Sequence, residues 1–182
     1  MSKEYDGTTV GTENAAANIS LGNVLSGENV GLTAKAVYDN PNAGKSEDSD
    51  ELQEHEVAYR LSLSNPNYQL AADTAAGTGK ISRKGLTIVA TPVSVNMGEA
   101  MPKFTGTVEG LVDKDRELAS SFTFDTLPEV NTSQVTGAQT QHPIYGWYRN
   151  SYDDGNLGLN YAYHQDPANA TAFTVNYINT DR

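Results

Sequence analysis

The sequence predicts a mainly β fold, built as two tandem small β-rich modules with little helix. Three observations carry this expectation. Apolar residues recur at every second position in short runs, which is the side-chain period of a half-buried strand. Clusters of Asn, Asp, Gly and Pro separate those runs. The chain is also rich in Thr, Ser, Asn and Gly and poor in the straight-chain residues that favour long helices. At 182 residues it is long enough for one large domain or two smaller ones.

Taken in order, period two appears at Ile19 and Leu21, at Tyr59, Leu61 and Leu63, and through Leu86, Thr87, Ile88, Val89 and Ala90. It returns at Val93 and Val95, Phe122 and Phe124, Tyr161 and Tyr163, and Phe173, Val175 and Tyr177. Turns are predicted at Asp39-Asn40-Pro41-Asn42, Asn65-Pro66-Asn67, Gly77-Thr78-Gly79 and Asp153-Asp154-Gly155-Asn156. One short helical stretch, a turn or two, is expected within Leu111 to Ser121. Ile81-Ser82-Arg83-Lys84-Gly85 reads as a polar turn before the strand at Leu86, which sets modules of 1–86 and 87–182.

Charge and composition exclude several function classes. The 23 acidic and 12 basic residues give a net charge of -11. Such a surface repels phosphate backbones and anionic headgroups, so neither nucleic acid nor a membrane is an expected partner. No apolar run reaches the ~18 residues of a membrane span. The chain has no Cys, which removes disulfides, thiol catalysis and thiolate metal sites. His55, His142 and His164 stand far apart without ligand spacing. No nucleophile elbow and no phosphate-binding glycine loop is present, and a non-enzymatic protein is expected. The opening Met1-Ser2-Lys3-Glu4 lacks the apolar stretch of an export signal, which suits a cytosolic protein or a piece of a longer exported chain.

Ordered strings of residues resemble known modules. Lys3-Glu4-Tyr5-Asp6-Gly7-Thr8-Thr9 is similar to the opening of the YDG domain. Leu25-Ser26-Gly27-Glu28-Asn29-Val30, then Ala36-Val37-Tyr38-Asp39-Asn40-Pro41-Asn42-Ala43-Gly44-Lys45, resemble its next two steps. Asn67-Tyr68-Gln69-Leu70 with Gly79-Lys80-Ile81 through Leu86-Thr87 resembles its close. The second half is similar to the MBG domain, through Gly98-Glu99-Ala100-Met101-Pro102, Val108-Glu109-Gly110-Leu111-Val112-Asp113, His142-Pro143-Ile144-Tyr145-Gly146, Leu159-Asn160-Tyr161-Ala162-Tyr163 and Phe173-Thr174-Val175. It departs from that pattern at His142, at Asn96-Met97-Gly98 and in the aromatic stretch from Trp147 to Leu157. The resemblance implies a second module that is β-grasp-like, with a β-sandwich as the alternative. It also implies a repeat or stalk segment of a large secreted bacterial adhesin of the filamentous-haemagglutinin kind, exported by a two-partner route. The setting it implies is the extracellular cell surface. The partners would be neighbouring modules of the same polypeptide, and the chain itself a monomer.

The densest chemical feature is aromatic. Tyr145, Trp147, Tyr148, Tyr152, Tyr161 and Tyr163 fall within 19 residues, interleaved with Asn150, Asp153, Asp154 and Asn156. Aromatic faces accept sugar C–H groups while amides and carboxylates hold hydroxyls, so Tyr145, Trp147, Tyr148, Tyr152 and Asp153 are the candidate binding residues for a host or matrix glycan or a surface receptor. The competing expectation is that these rings form core, with Tyr161 and Tyr163 alternating on a buried face and Trp147 anchoring the second module. A third reading is a calcium-stiffened linker. Ca²⁺ takes six to eight oxygens, and two features suggest carboxylates for it: the run Glu47-Asp48-Ser49-Asp50-Glu51 with Glu54 and Glu56, and Asp113-Lys114-Asp115, whose two carboxylates share one side if the segment is extended. The bland readings are a solvated acidic loop and a structural turn. No metal site or other cofactor is assigned. Three Asn-x-Ser/Thr sequons start at Asn18, Asn131 and Asn169, a number that chance gives in so Asn- and Thr-rich a chain.

Overall fold

A computed structural model describes residues 1–11, 15–46, 49–148 and 157–179. The fold is mainly β, with 41% of the described residues in strands and 13% in helical turns. No helix among the described residues is long and apolar enough to cross a membrane. The chain gathers into two compact units. One comprises Met1–Lys84 and Asn156–Tyr161, the other Gly85–Gly155 and Ala162–Arg182, each over its described residues.

The first unit is one four-stranded sheet. Its strands are β1 (Ser2–Glu4), β2 (Leu32–Tyr38), β3 (Glu54–Leu63) and β4 (Thr74–Ser82), in the order β1-β4-β3-β2. β1 runs parallel to β4, and the other pairs are antiparallel. Alternation puts Ala34, Ala36 and Tyr38 of β2 on the same buried face as Val57 and Tyr59 of β3. Gly77 and Gly79, expected in a turn, lie inside β4 instead. A Cβ at Gly77 would meet the Tyr59 ring at 3.1 Å, and one at Gly79 would meet the Tyr38 ring and Val57 at 3.0 Å. These glycines are small because two tyrosine rings lie over them, which turn statistics cannot distinguish from a bend. Tyr5 and Gly7 show how the opening string builds this unit. Tyr5 is buried edge-on against Tyr161 at 5.3 Å, and Gly7 takes the left-handed φ of +81°. The nearly buried Lys3 ammonium then gathers Asp6 Oδ1 at 2.7 Å and the carbonyls of Thr8 and Val10 at 2.7 and 2.8 Å.

A single helical turn, Leu157–Asn160, completes the first unit from far along the chain. Leu157 is buried. Asn160 Oδ1 accepts from Ala43 N at 2.9 Å, and its Nδ2 donates to Asn42 Oδ1 at 3.2 Å. Arg83 donates from Nε to the carbonyls of Gly158 and Leu159, both at 3.1 Å, and from Nη2 to the Ser49 carbonyl at 2.6 Å.

The second unit holds β5 (Lys84–Ala90, from Gly85 onward), β6 (Val93–Asn96), β7 (Gly106–Glu109), β8 (Phe122–Asp125), β9 (Gln139–His142), β10 (Tyr145–Tyr148), β11 (Tyr161–Gln165, from Ala162 onward) and β12 (Phe173–Asn176). They form two three-stranded sheets, β11-β5-β7 and β6-β12-β9, and the two-stranded ribbon β10-β8. Its core comprises Ala90, Phe104, Ile144, Ala172, Phe173 and Val175, with Val93, Val95 and Phe124 against it. Burial of one such side chain stabilises by roughly 1.5–3 kcal/mol.

Other expectations change here. Ile19 and Leu21 are not in a strand; a 3₁₀ turn at Ala15–Asn18 precedes them. Ile81 to Gly85 is no turn, because β4 ends at Ser82 and β5 starts at Lys84 with only Arg83 between. The helical stretch forms as a 3₁₀ helix, Asp113–Ser121.

Candidate functional site

The ribbon of β8 and β10 carries the candidate site. Its antiparallel register pairs Tyr145 with Asp125, Gly146 with Phe124, Trp147 with Thr123 and Tyr148 with Phe122. Cross-strand partners share a face and neighbours along a strand alternate. Tyr145, Trp147, Asp125 and Thr123 therefore occupy one face, and Gly146, Tyr148, Phe124 and Phe122 the other. Exposure agrees: Tyr145 is 38% and Trp147 46% exposed, while Gly146 is buried. The expectation that Trp147 is core is overturned, as it is for Tyr163, which is 45% exposed, whereas Tyr161 is buried. Tyr148 sits on the inner face, edge-on to Phe122 at 5.4 Å, apart from Tyr145 and Trp147. Tyr152 and Asp153 lie outside the described residues. Thr123 and Asp125 were not singled out in the sequence. The signal for them was the short Phe-x-Phe strand whose off-phase positions are polar.

Gly146 explains why the ribbon lies so close to the sheet beneath it. A Cβ there would come within 2.6 Å of Ile88 Cγ2 and the Phe124 ring. The Phe124 ring also covers Gly106, so it is wedged between two glycines. The outer edge of β10 is completed by a side chain. Gln165 Nε2 donates to Gly146 O at 2.6 Å, and Gly146 N donates to Gln165 Oε1 at 3.2 Å. The same Oε1 accepts from Asn169 Nδ2 at 3.0 Å. Asn169 is buried, takes Ala90 N on its Oδ1 at 2.8 Å and donates to Ile88 O at 2.9 Å. A chain of amides thus ties the backbone of β5 to the strand that bears Tyr145 and Trp147. Asn169 belongs to this network, and its sequon is closed to glycosyl transfer in the folded chain.

A groove of about 1400 Å³ runs beside the ribbon, between residues 101–106 and 119–130. Thr123 and Asp125 line it too, along with Lys103, Phe104 and Leu127. Asp125 Oδ1 accepts from Thr126 N at 2.8 Å, which fixes the carboxylate at the strand end.

The carboxylate candidates for calcium are arranged differently from expectation. Asp113 and Asp115 open a 3₁₀ helix rather than an extended segment, and residues two apart on such a helix point to different sides. Asp113 is paired with Arg116. Glu51 pairs with Lys45 at 2.9 Å, and Glu47 and Asp48 lie outside the described residues. Among the described residues no group of three or more His, Asp or Glu side chains converges as metal ligands would. His55 is buried against Asp39, with Nδ1 and Oδ1 2.6 Å apart. An ionised carboxylate only accepts, so Nδ1 carries the hydrogen.

Comparison of the chain with protein-family models, with curated proteins and with solved structures finds no match.

Proposed function

We propose that this chain is a non-enzymatic repeat or stalk segment of a large secreted bacterial surface adhesin, acting as an extracellular spacer in cell adhesion. The observation that carries this reading is the role of the residues that resemble YDG and MBG strings. Several of them lie inside the fold or fix its turns. Tyr5, Tyr38, Ile81, Leu86, Ile144 and Phe173 are buried, and Gly7 and Gly98 take left-handed turns. Such residues define a module that can be repeated, with each copy burying its own core. The net charge of -11 keeps neighbouring modules of one polypeptide apart and in solution. The chain acts as a monomer within that polypeptide.

The test is made on the producing cell. Antibody against these residues is expected to label intact cells. Replacement of the segment by an unrelated β pair of equal length is expected to preserve reach, and its deletion to shorten it. Labelling only after lysis, or a catalytic turnover by the purified chain, would overturn the reading.

A further inference from the structure

We propose that the outer face of the β8–β10 ribbon is a binding site for an uncharged oligosaccharide. A pyranose ring would stack on Trp147 and Tyr145 while its hydroxyls are held by Asp125 and Thr123. This goes beyond the spacer reading and stands independently of it.

Four observations converge. The register places both rings, the carboxylate and the hydroxyl on one face. Both rings are substantially exposed, although large aromatics gain most from burial. The platform is held rigidly: Gly146 seats it on Ile88 and Phe124, and the Gln165 amide clamps its edge. Thr123 and Asp125 also line the adjoining groove, so a second sugar unit has a concave path to follow from the first.

The ligand class follows from the groups. Aromatic side chains two apart on a strand stand about 6–7 Å from each other along it, which suits a flat ring with an apolar C–H face. A carboxylate accepts hydrogen bonds and a threonine hydroxyl both donates and accepts, which matches the rim of sugar hydroxyls. Asp125 and the net charge of -11 repel sulfated, sialylated or uronic sugars. A quaternary ammonium also likes aromatics, but it is held by a cage of rings rather than an open strand face.

The experiment uses the full chain on an array of neutral hexose and N-acetylhexosamine oligosaccharides beside anionic ones, with hits followed by calorimetry. Trp147 is the only Trp, so its emission reports on the site directly. Binding of neutral oligosaccharides with a blue shift is expected. Trp147→Ala and Asp125→Asn should each weaken it by at least about tenfold, in line with an aromatic stack or one charged hydrogen bond, and leave the melting transition in place. Tyr177→Ala, at an exposed ring off the ribbon, should leave binding unchanged. If Trp147→Ala lowers the melting temperature, Asp125→Asn and Tyr145→Ala carry the test. The proposal is overturned by no neutral hit across the array, by hits confined to anionic glycans, choline or protein receptors, or by binding that survives both Trp147→Ala and Asp125→Asn.

Discussion

Buried His55 pairs with the partly exposed Asp39 in the first unit, and their chemistry predicts a pH response. The hydrogen bond from His55 is the largest cause holding the Asp39 carboxyl below its ordinary range, followed by the backbone N–H groups of Glu56 and Asn40. A carboxyl lowered on folding adds stability that is present above its unfolded value of about 4 and lost as pH falls through the folded one. The urea midpoint is therefore expected to drop below pH ~4, and Asp39→Asn to flatten that drop. An unchanged slope in the variant would remove the pair from this role. At the same scale, Asn169 is predicted to be structural. Asn169→Ala leaves Ala90 N without its acceptor in the interior, while Ile88 O keeps the Asp166 N–H, and should cost roughly 1–3 kcal/mol, read from denaturant unfolding. Single residues were only partly legible in the sequence. The sequence left Trp147 between an exposed site and the core, because a run of aromatics suits both; the deciding residue is the small one between Tyr145 and Trp147, Gly146.

Strands were legible where large apolar side chains alternate with polar ones, but not at β2, whose dry face carries the small Ala34 and Ala36. Tyr59 to Leu63, Leu86 to Ala90, Val93 and Val95, Phe122 and Phe124, and Phe173 and Val175 all fall in strands. The pattern failed where packing required small residues. The sequence Thr-Ala-Ala-Gly-Thr-Gly-Lys-Ile-Ser of β4 has too few large side chains to show a period, because the neighbouring tyrosines supply the bulk. It also misled at Ile19 and Leu21, where alternation over three residues is too short to outweigh the preceding turn. The ribbon offers the sharpest test at this level. Gly146→Ala must push β10 from Ile88 and Phe124 and is expected to destabilise the second unit by about 1–3 kcal/mol. Gln165→Ala should instead loosen only the edge, seen as faster amide exchange at Gly146 with a smaller loss of stability.

Across the whole molecule, the β-rich class was readable from period and punctuation. The return of Leu157 to Tyr161 to the first unit was not, because it rests on one buried Leu, one Asn and one Tyr with no periodic signature. A chain ending at Lys84 is accordingly expected to fold poorly: Tyr5 loses its edge-on partner and Ala43 N its acceptor. Near-native melting of that truncation would show the returning segment to be dispensable. The same return sets an order in time. Tyr5 meets a ring 156 positions later, so the amino-terminal unit lacks its last contact while the chain is still emerging from a ribosome or threading through a narrow pore. Until Tyr161 arrives, Tyr5 waits without its cover, and the amino-terminal unit is complete only once the far end of the chain has been delivered.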